Sequence, residues 1–66
     1  MKLTINGKNE TIEDVMTIMQ LLSKKQLNPD TIVIEYNQEI IPKEKLNYIS
    51  LKENDNLEIV SFVGGG

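Results

Sequence analysis

Residues 2–12 read KLTINGKNETI, and the rest of the chain is arranged around what this stretch forms. Lys2 to Asn6 alternates polar and apolar residues with Leu3 and Ile5 on one side, the period of a half-buried strand. Asn6-Gly7 follows. That dipeptide is the strongest short-range hairpin signal, because a type I′ turn needs positive φ at both central positions. The spacing predicts a return strand from about Lys8 to Ile12, with Asn9 and Glu13 polar and Ile12 turned inward. The chain therefore opens with a hairpin.

Working outward, Glu13 to Met16 reads as a connection, and Thr17 with Gln20 three residues later fits a capping box. Ile18, Leu21, Leu22 and Lys25 fall at i, i+3, i+4 and i+7, which predicts a helix over about 18–26 with one apolar stripe. Leu27 closes the core just past its end. Asn28-Pro29-Asp30 stops the helix, because the residue before a proline is driven out of the α region. Met16 and Met19 read as gap-filling core or rim rather than as thioether ligands. Thr31 to Tyr36, rich in β-branched residues, predicts a central strand. It turns at Asn37-Gln38 into a short strand, Glu39 to Ile41, which Pro42 ends. Pro42 to Tyr48 reads as one irregular turn and Lys52 to Asn56 as a polar loop. Leu57 to Val63 is the last strand.

Strand, strand, helix, strand, short strand, strand describes an α+β fold of the β-grasp kind, a mixed sheet of about five strands gripping one helix. In that arrangement the first and last strands lie parallel at the centre. The expected inner set is Leu3, Ile5, Ile12, Ile32, Ile34, Leu57 and Ile59 from the sheet, with Ile18, Leu21 and Leu22 from the helix. One helix covers only one face. By alternation Val60 and Phe62 fall on the open face, joined by Val33, and an apolar cluster on an uncovered face marks a protein contact. Such residues also fit scattered exposure, which is common on any protein. The domain is expected to span residues 1–63, followed by a flexible glycine tail, 64–66.

Composition narrows the function. Sixty-six residues make one small domain, near the lower limit for a single unstapled core. There is no cysteine and no histidine, so disulfides, thiolate metal sites, a cysteine nucleophile and the usual general base are all excluded. An independent enzyme would have to use carboxylates such as Glu35, Glu39 and Glu58, which read better as solvated strand and turn positions. A net charge of -3 argues against nucleic-acid phosphates as partners. No stretch approaches the length of an apolar membrane span or carries a signal-peptide core, so the reading is a cytoplasmic protein whose partners are proteins.

The chain closes on Phe62-Val63-Gly64-Gly65-Gly66. Three glycines contribute nothing to a packed domain and lose the most entropy on ordering. They fit an ordinary frayed end. They also make a side-chain-free stalk, reaching roughly 10 Å at about 3.3 to 3.6 Å per residue, that could carry the Gly66 carboxylate through a narrow channel. An α-carboxylate with a pKa of about 3.3 to 3.7 is ionised at neutral pH and a poor electrophile. It must be activated, for example as a mixed anhydride with AMP. The sequence has no Gly-rich phosphate-cradling motif of its own, so another protein must do this. If the attacking nucleophile is then a sulfur donor, the product is a thiocarboxylate.

LEIVSFVGGG at 57–66, YNQEIIPKEKL at 36–46 and KENDNLEI at 52–59, with the overall length, resemble the thiamine-biosynthesis sulfur carriers called ThiS. The resemblance covers essentially the whole chain. It implies a ubiquitin-like β-grasp fold and a carrier rather than an enzyme. In that family the terminal glycine is adenylated by an E1-like, ThiF-type enzyme using ATP and Mg²⁺, and the carrier itself binds no cofactor. Sulfur drawn from cysteine by a cysteine desulfurase then makes the thiocarboxylate, and a ThiG-type thiazole synthase takes the sulfur. Carried over by position, Gly66 is the modified residue, Gly65 and Gly64 thread into partner active sites, and Phe62, Val60 and Val33 dock. The family often has Gly-Asp where this chain has Asn54-Asp55, a departure that bears on the turn and not on the tail. Two alternatives share parts of this reading: a sulfur carrier for tRNA thiolation or molybdopterin synthesis, and a β-grasp interaction module whose glycines are incidental.

Overall fold

The computed structural model describes residues 1–62. Strands β1 (Lys2–Ile5) and β2 (Lys8–Thr11), helix α1 (Ile18–Lys24), and strands β3 (Ile32–Tyr36), β4 (Glu39–Ile41) and β5 (Asn56–Ser61) follow in chain order. They build one five-stranded sheet in the order β2-β1-β5-β3-β4. The β1 and β5 strands are parallel, and the other three pairings are antiparallel. This is the β-grasp arrangement, with first and last strands adjacent at its centre.

The opening turn forms as the sequence requires, with Asn6 at φ 51 and Gly7 at φ 80. Its return strand ends at Thr11, one residue early, yet Ile12 is buried and its N–H still bonds the Met1 carbonyl at 2.8 Å. The second hairpin is closed by Asn37 and Gln38, both with positive φ (49 and 73). A two-residue turn of this hand matches the twist of the strands it joins. It fixes the register Tyr36 to Glu39 and Glu35 to Ile40.

Thr17 caps α1 with the full capping box: its hydroxyl accepts from the Gln20 N–H, and its own N–H donates to the Gln20 carboxamide. The helix is seven residues long, well under the roughly 12–15 at which an isolated helix becomes stable. Its stability therefore comes from burying Ile18, Leu21 and Leu22. It ends at Lys24 rather than near Gln26, and the proline is not the immediate cause. Gln26 turns left-handed (φ 61) and its N–H bonds Ser23 O, while the Leu27 N–H bonds Leu22 O at 2.9 Å. These are the two bonds of a Schellman cap. Asn28 then caps a short 3₁₀ turn, Pro29–Thr31, so β3 begins at Ile32 instead of Thr31.

The core joins the helix to the inner sheet face. Leu3, Ile18, Leu21, Leu22, Ile34, Leu46 and Leu57 are essentially without solvent exposure, each contributing on the order of 1.5–3 kcal/mol by burial. Ile59, expected inside, is only partly buried and packs against the core edge. Met16 is core and Met19 rim. Leu46 and Leu51 are core residues that the pattern did not pick out. Leu46 is buried because 43–48 is a 3₁₀ helix rather than an irregular turn, and it presents one apolar residue to the core.

Candidate functional site

The last strand positions everything near the tail. β5 pairs with β3 from Leu57 opposite Tyr36 to Ser61 opposite Ile32, and the Phe62 N–H extends the ladder by bonding the Thr31 carbonyl at 3.1 Å. On its other side β5 has a shorter partner, since β1 reaches only Ile5 opposite Leu57. The exposed edge is continued by a side chain. The Asn6 carboxamide accepts from the Ile59 N–H at 2.7 Å and donates to the Ile59 carbonyl at 3.3 Å, making both bonds a further strand residue would have made. Asn6 thus serves the hairpin turn with its backbone and holds β5 with its side chain. Only the first role is readable from the Asn-Gly signal. Val63, Gly64, Gly65 and Gly66, with the expected boundary between domain and tail, lie outside the described residues.

The face of the sheet away from α1 carries the expected docking residues. Val33 and Val60 are direct cross-strand partners, 40% and 57% exposed, and Phe62 is 58% exposed. These three are brought together as alternation requires. Ile40, 66% exposed, joins them from β4. It was missed because a three-residue strand shows no period, although the two-residue turn before it fixes which isoleucine points outward. Glu35 and Glu58, opposite one another in the β3–β5 register, lie on the same face. With Val33, Val60, Ile40, Gln38 and Asn56 they line a shallow concavity. Glu39, the third carboxylate considered as an enzyme residue, is exposed beyond the pair.

At the opposite end of β5 sits a polar cluster read only as loop. Asp55 is 5% exposed. Its carboxylate accepts from the Tyr36 hydroxyl at 2.7 Å, the Lys52 N–H at 2.7 Å and the Asn37 carboxamide at 3.2 Å. Burial pushes its pKa up, but the hydrogen bond from Tyr36, those from Lys52 and Asn37 and the Lys52 charge together outweigh this and hold it below the ordinary value. Burial and the bond to Asp55 raise the Tyr36 phenol. Asn54, where the resembling family often has glycine, is left-handed at φ 71. Asparagine tolerates that region, so the turn keeps its shape without the glycine. The cluster lies at the start of β5, at the end of the strand away from Phe62, and ties the strand to Tyr36, Asn37 and Lys52.

Among the described residues no group of three or more carboxylates, histidines or cysteines is placed to hold a metal ion, and no helix is long and apolar enough to cross a membrane. What the site offers is a surface and a strand end.

A family model described as the ThiS family matches residues 3–66. The chain is 43% identical over 65 residues to the sulfur carrier protein ThiS of Bacillus subtilis (strain 168), covering 97% of this chain and 98% of that one. It is 38% identical over 66 residues to a thiazole synthase of Paramagnetospirillum magneticum, where it spans only 20% of the relative's length. A thiazole synthase of Magnetococcus marinus matches at 30% identity, again over 20% of its length. Among solved structures, the thiamine biosynthesis protein (ThiS) of Geobacter metallireducens superposes with a TM-score of 0.85 at 30% identity, with all of both chains covered.

Proposed function

The chain belongs to the ThiS family of sulfur carrier proteins of thiamine biosynthesis, and on that premise we propose that Gly66 carries the sulfur. A Gly66 carboxylate oxygen attacks the α-phosphorus of ATP in an E1-like, ThiF-type enzyme, and pyrophosphate leaves. A partner's persulfide, its outer sulfur drawn from cysteine by a desulfurase, then attacks the acyl carbon, and AMP leaves with its bridging oxygen. A thiol cleaves the resulting acyl disulfide, releasing the thiocarboxylate as the thiol and the partner sulfur form a disulfide. A C–S bond has replaced a C–O bond, and the resulting thiocarboxylate is the form from which a ThiG-type thiazole synthase takes the atom. ATP and Mg²⁺ belong to the activating enzyme. This chain contributes no catalytic group, and its setting is the cytoplasm.

The observation that carries this reading is the near end-to-end likeness to a sulfur carrier on a fold whose central strand runs toward three glycines. Gly64 and Gly65 have no side chains to obstruct a narrow channel, and Val33, Val60 and Phe62 form the apolar face that docks beside it. Two thiazole synthases, each with a segment like this chain within a much longer polypeptide, support thiazole synthase as the acceptor. The deciding experiment is the intact mass after incubation with the adenylating enzyme, ATP, cysteine and a desulfurase. A gain equal to exchanging one oxygen for sulfur, mapped to Gly66, is the expected result. No gain, with the adenylating enzyme active on another carrier, overturns the proposal.

A further inference from the structure

The docking face carries a feature that folding does not explain. Glu35 and Glu58 are directly opposed across β3 and β5, and like charges in that relation destabilise a sheet. Neither forms an ion pair among the described residues, where the lysines in salt bridges are Lys25, with Glu10, and Lys43, with Asp30. Lys52 sits at the far cluster, over the Tyr36 ring. Both carboxylates are half-buried, so water screens them less than it would at a rim. One row toward the tail lies the Val33–Val60 pair, and Ile40 stands opposite Glu35 on its other side. Asn56, one row further back, has a buried carboxamide oxygen with no donor among the described residues. The concavity thus sets two carboxylates with no cationic partner among the described residues inside an apolar frame.

We propose that this face receives a protein surface bearing one cationic side chain, a guanidinium by preference, which enters between Glu35 and Glu58 while apolar groups around it cover Val33, Val60 and Ile40. A guanidinium suits the place because its planar fork of donors can serve two carboxylates together, which a compact ammonium does less well. The proposal rests on the reading that this face docks the enzymes that handle the tail, and it supplies the chemistry of their contact. The chain's net charge of -3 favours the approach of such a surface.

The test uses the full chain and measures its Kd for the adenylating enzyme and for thiazole synthase, each at low and high salt, alongside its urea unfolding midpoint. In the Glu35→Gln/Glu58→Gln double variant, the Kd for at least one enzyme rises about tenfold or more and loses most of its salt dependence. The unfolding midpoint stays level or rises, because a repulsion has been removed. A structural role for the pair would instead lower the midpoint. Val60→Ser is measured in parallel. If it weakens binding while the double variant binds both enzymes within about twofold of the parent and with the same salt dependence, the cation is wrong and the docking face stands. If neither variant changes either Kd, the docking face itself falls and the cation with it.

Discussion

Asp55→Ala should be the most damaging single change outside the apolar core. The carboxylate receives three hydrogen bonds, from Tyr36, the Lys52 backbone and Asn37, and bonds to a charged acceptor contribute about 1.5–3 kcal/mol each. They do not add in full. Lys52 and Asn37 are exposed, so their donors regain water when the acceptor is lost, whereas the partly buried Tyr36 hydroxyl regains less. The net loss is then about 2–4 kcal/mol, out of a total of about 3–10 kcal/mol for a chain of this size. The melting temperature should fall by roughly 10–25 °C. Asn is no substitute: one of its two positions would be an NH₂ facing a donor, because the Asn37 oxygen already accepts from the Asn56 N–H at 2.8 Å. Urea unfolding followed by circular dichroism measures the loss. The same experiment against pH adds an independent check. Asp55 is held below its unfolded pKa of about 3.9, so its stabilisation is fully present above that value. It is lost as pH falls through the folded pKa. The acid limb of the parent should therefore be steeper than that of Asp55→Asn. A loss under about 1 kcal/mol, or identical acid limbs, would refute the assignment of this cluster as the anchor of β5.

Asn6→Gly keeps the left-handed turn but removes the side chain that bonds both backbone groups of Ile59. Amide exchange at Ile59 should quicken and stability drop by about 1 kcal/mol; unchanged exchange at that amide would dismiss the clamp. Gln26→Gly, at the left-handed position of the helix cap (φ 61), should raise stability by about 1 kcal/mol, read from the urea midpoint, and a decrease would mean the side chain does something the cap geometry does not show. Phe62→Asp should weaken binding to the adenylating enzyme about tenfold without moving the unfolding midpoint, because the ring is largely exposed. One residue added after Gly66 should abolish sulfur transfer and leave folding untouched, measured as loss of the thiocarboxylate mass with an unaltered melting curve.

The hairpin, the capping box and the outward set on β5 were legible because each rests on short-range geometry: two positive φ values in sequence, a three-residue reach, a period of two. Leu46, Leu51 and Asp55 were not, for a common reason. Each lies in a segment whose local pattern is polar or irregular, and its burial is decided by what the rest of the fold places over it. The helix end was misread in cause because a proline was in view and a left-handed glutamine was not. Glutamine carries no signal for that conformation, which here goes with the Leu27 N–H bond back to the Leu22 carbonyl and the packing of Leu27 against the core. The outward placing of Val33, Val60 and Phe62 followed from alternation, whereas the pairing of Glu35 with Glu58 needed the register of β3 against β5.

The exposed apolar face is a consequence of size before it is a device. Five strands make a sheet with two faces, and a chain this short supplies one helix of seven residues to cover one of them. The other face must stay in water or be covered by something else. A monomer evolving for stability alone would line it with polar and charged residues of mixed sign, since cross-strand pairs of opposite charge stabilise and like pairs do not. This chain instead places valines opposite each other, a phenylalanine at the exit of the strand and two glutamates face to face. At the same time it secures β5 at one end through Asp55 and along its exposed edge through Asn6. Under the proposed function those anchors matter, because a tail delivered into another protein's active site would be aimed by the strand it leaves. A strand free to slip by one residue would turn Val60 and Phe62 toward the helix side and bring Ile59 and Ser61 outward, dismantling the apolar face on which the proposed docking depends.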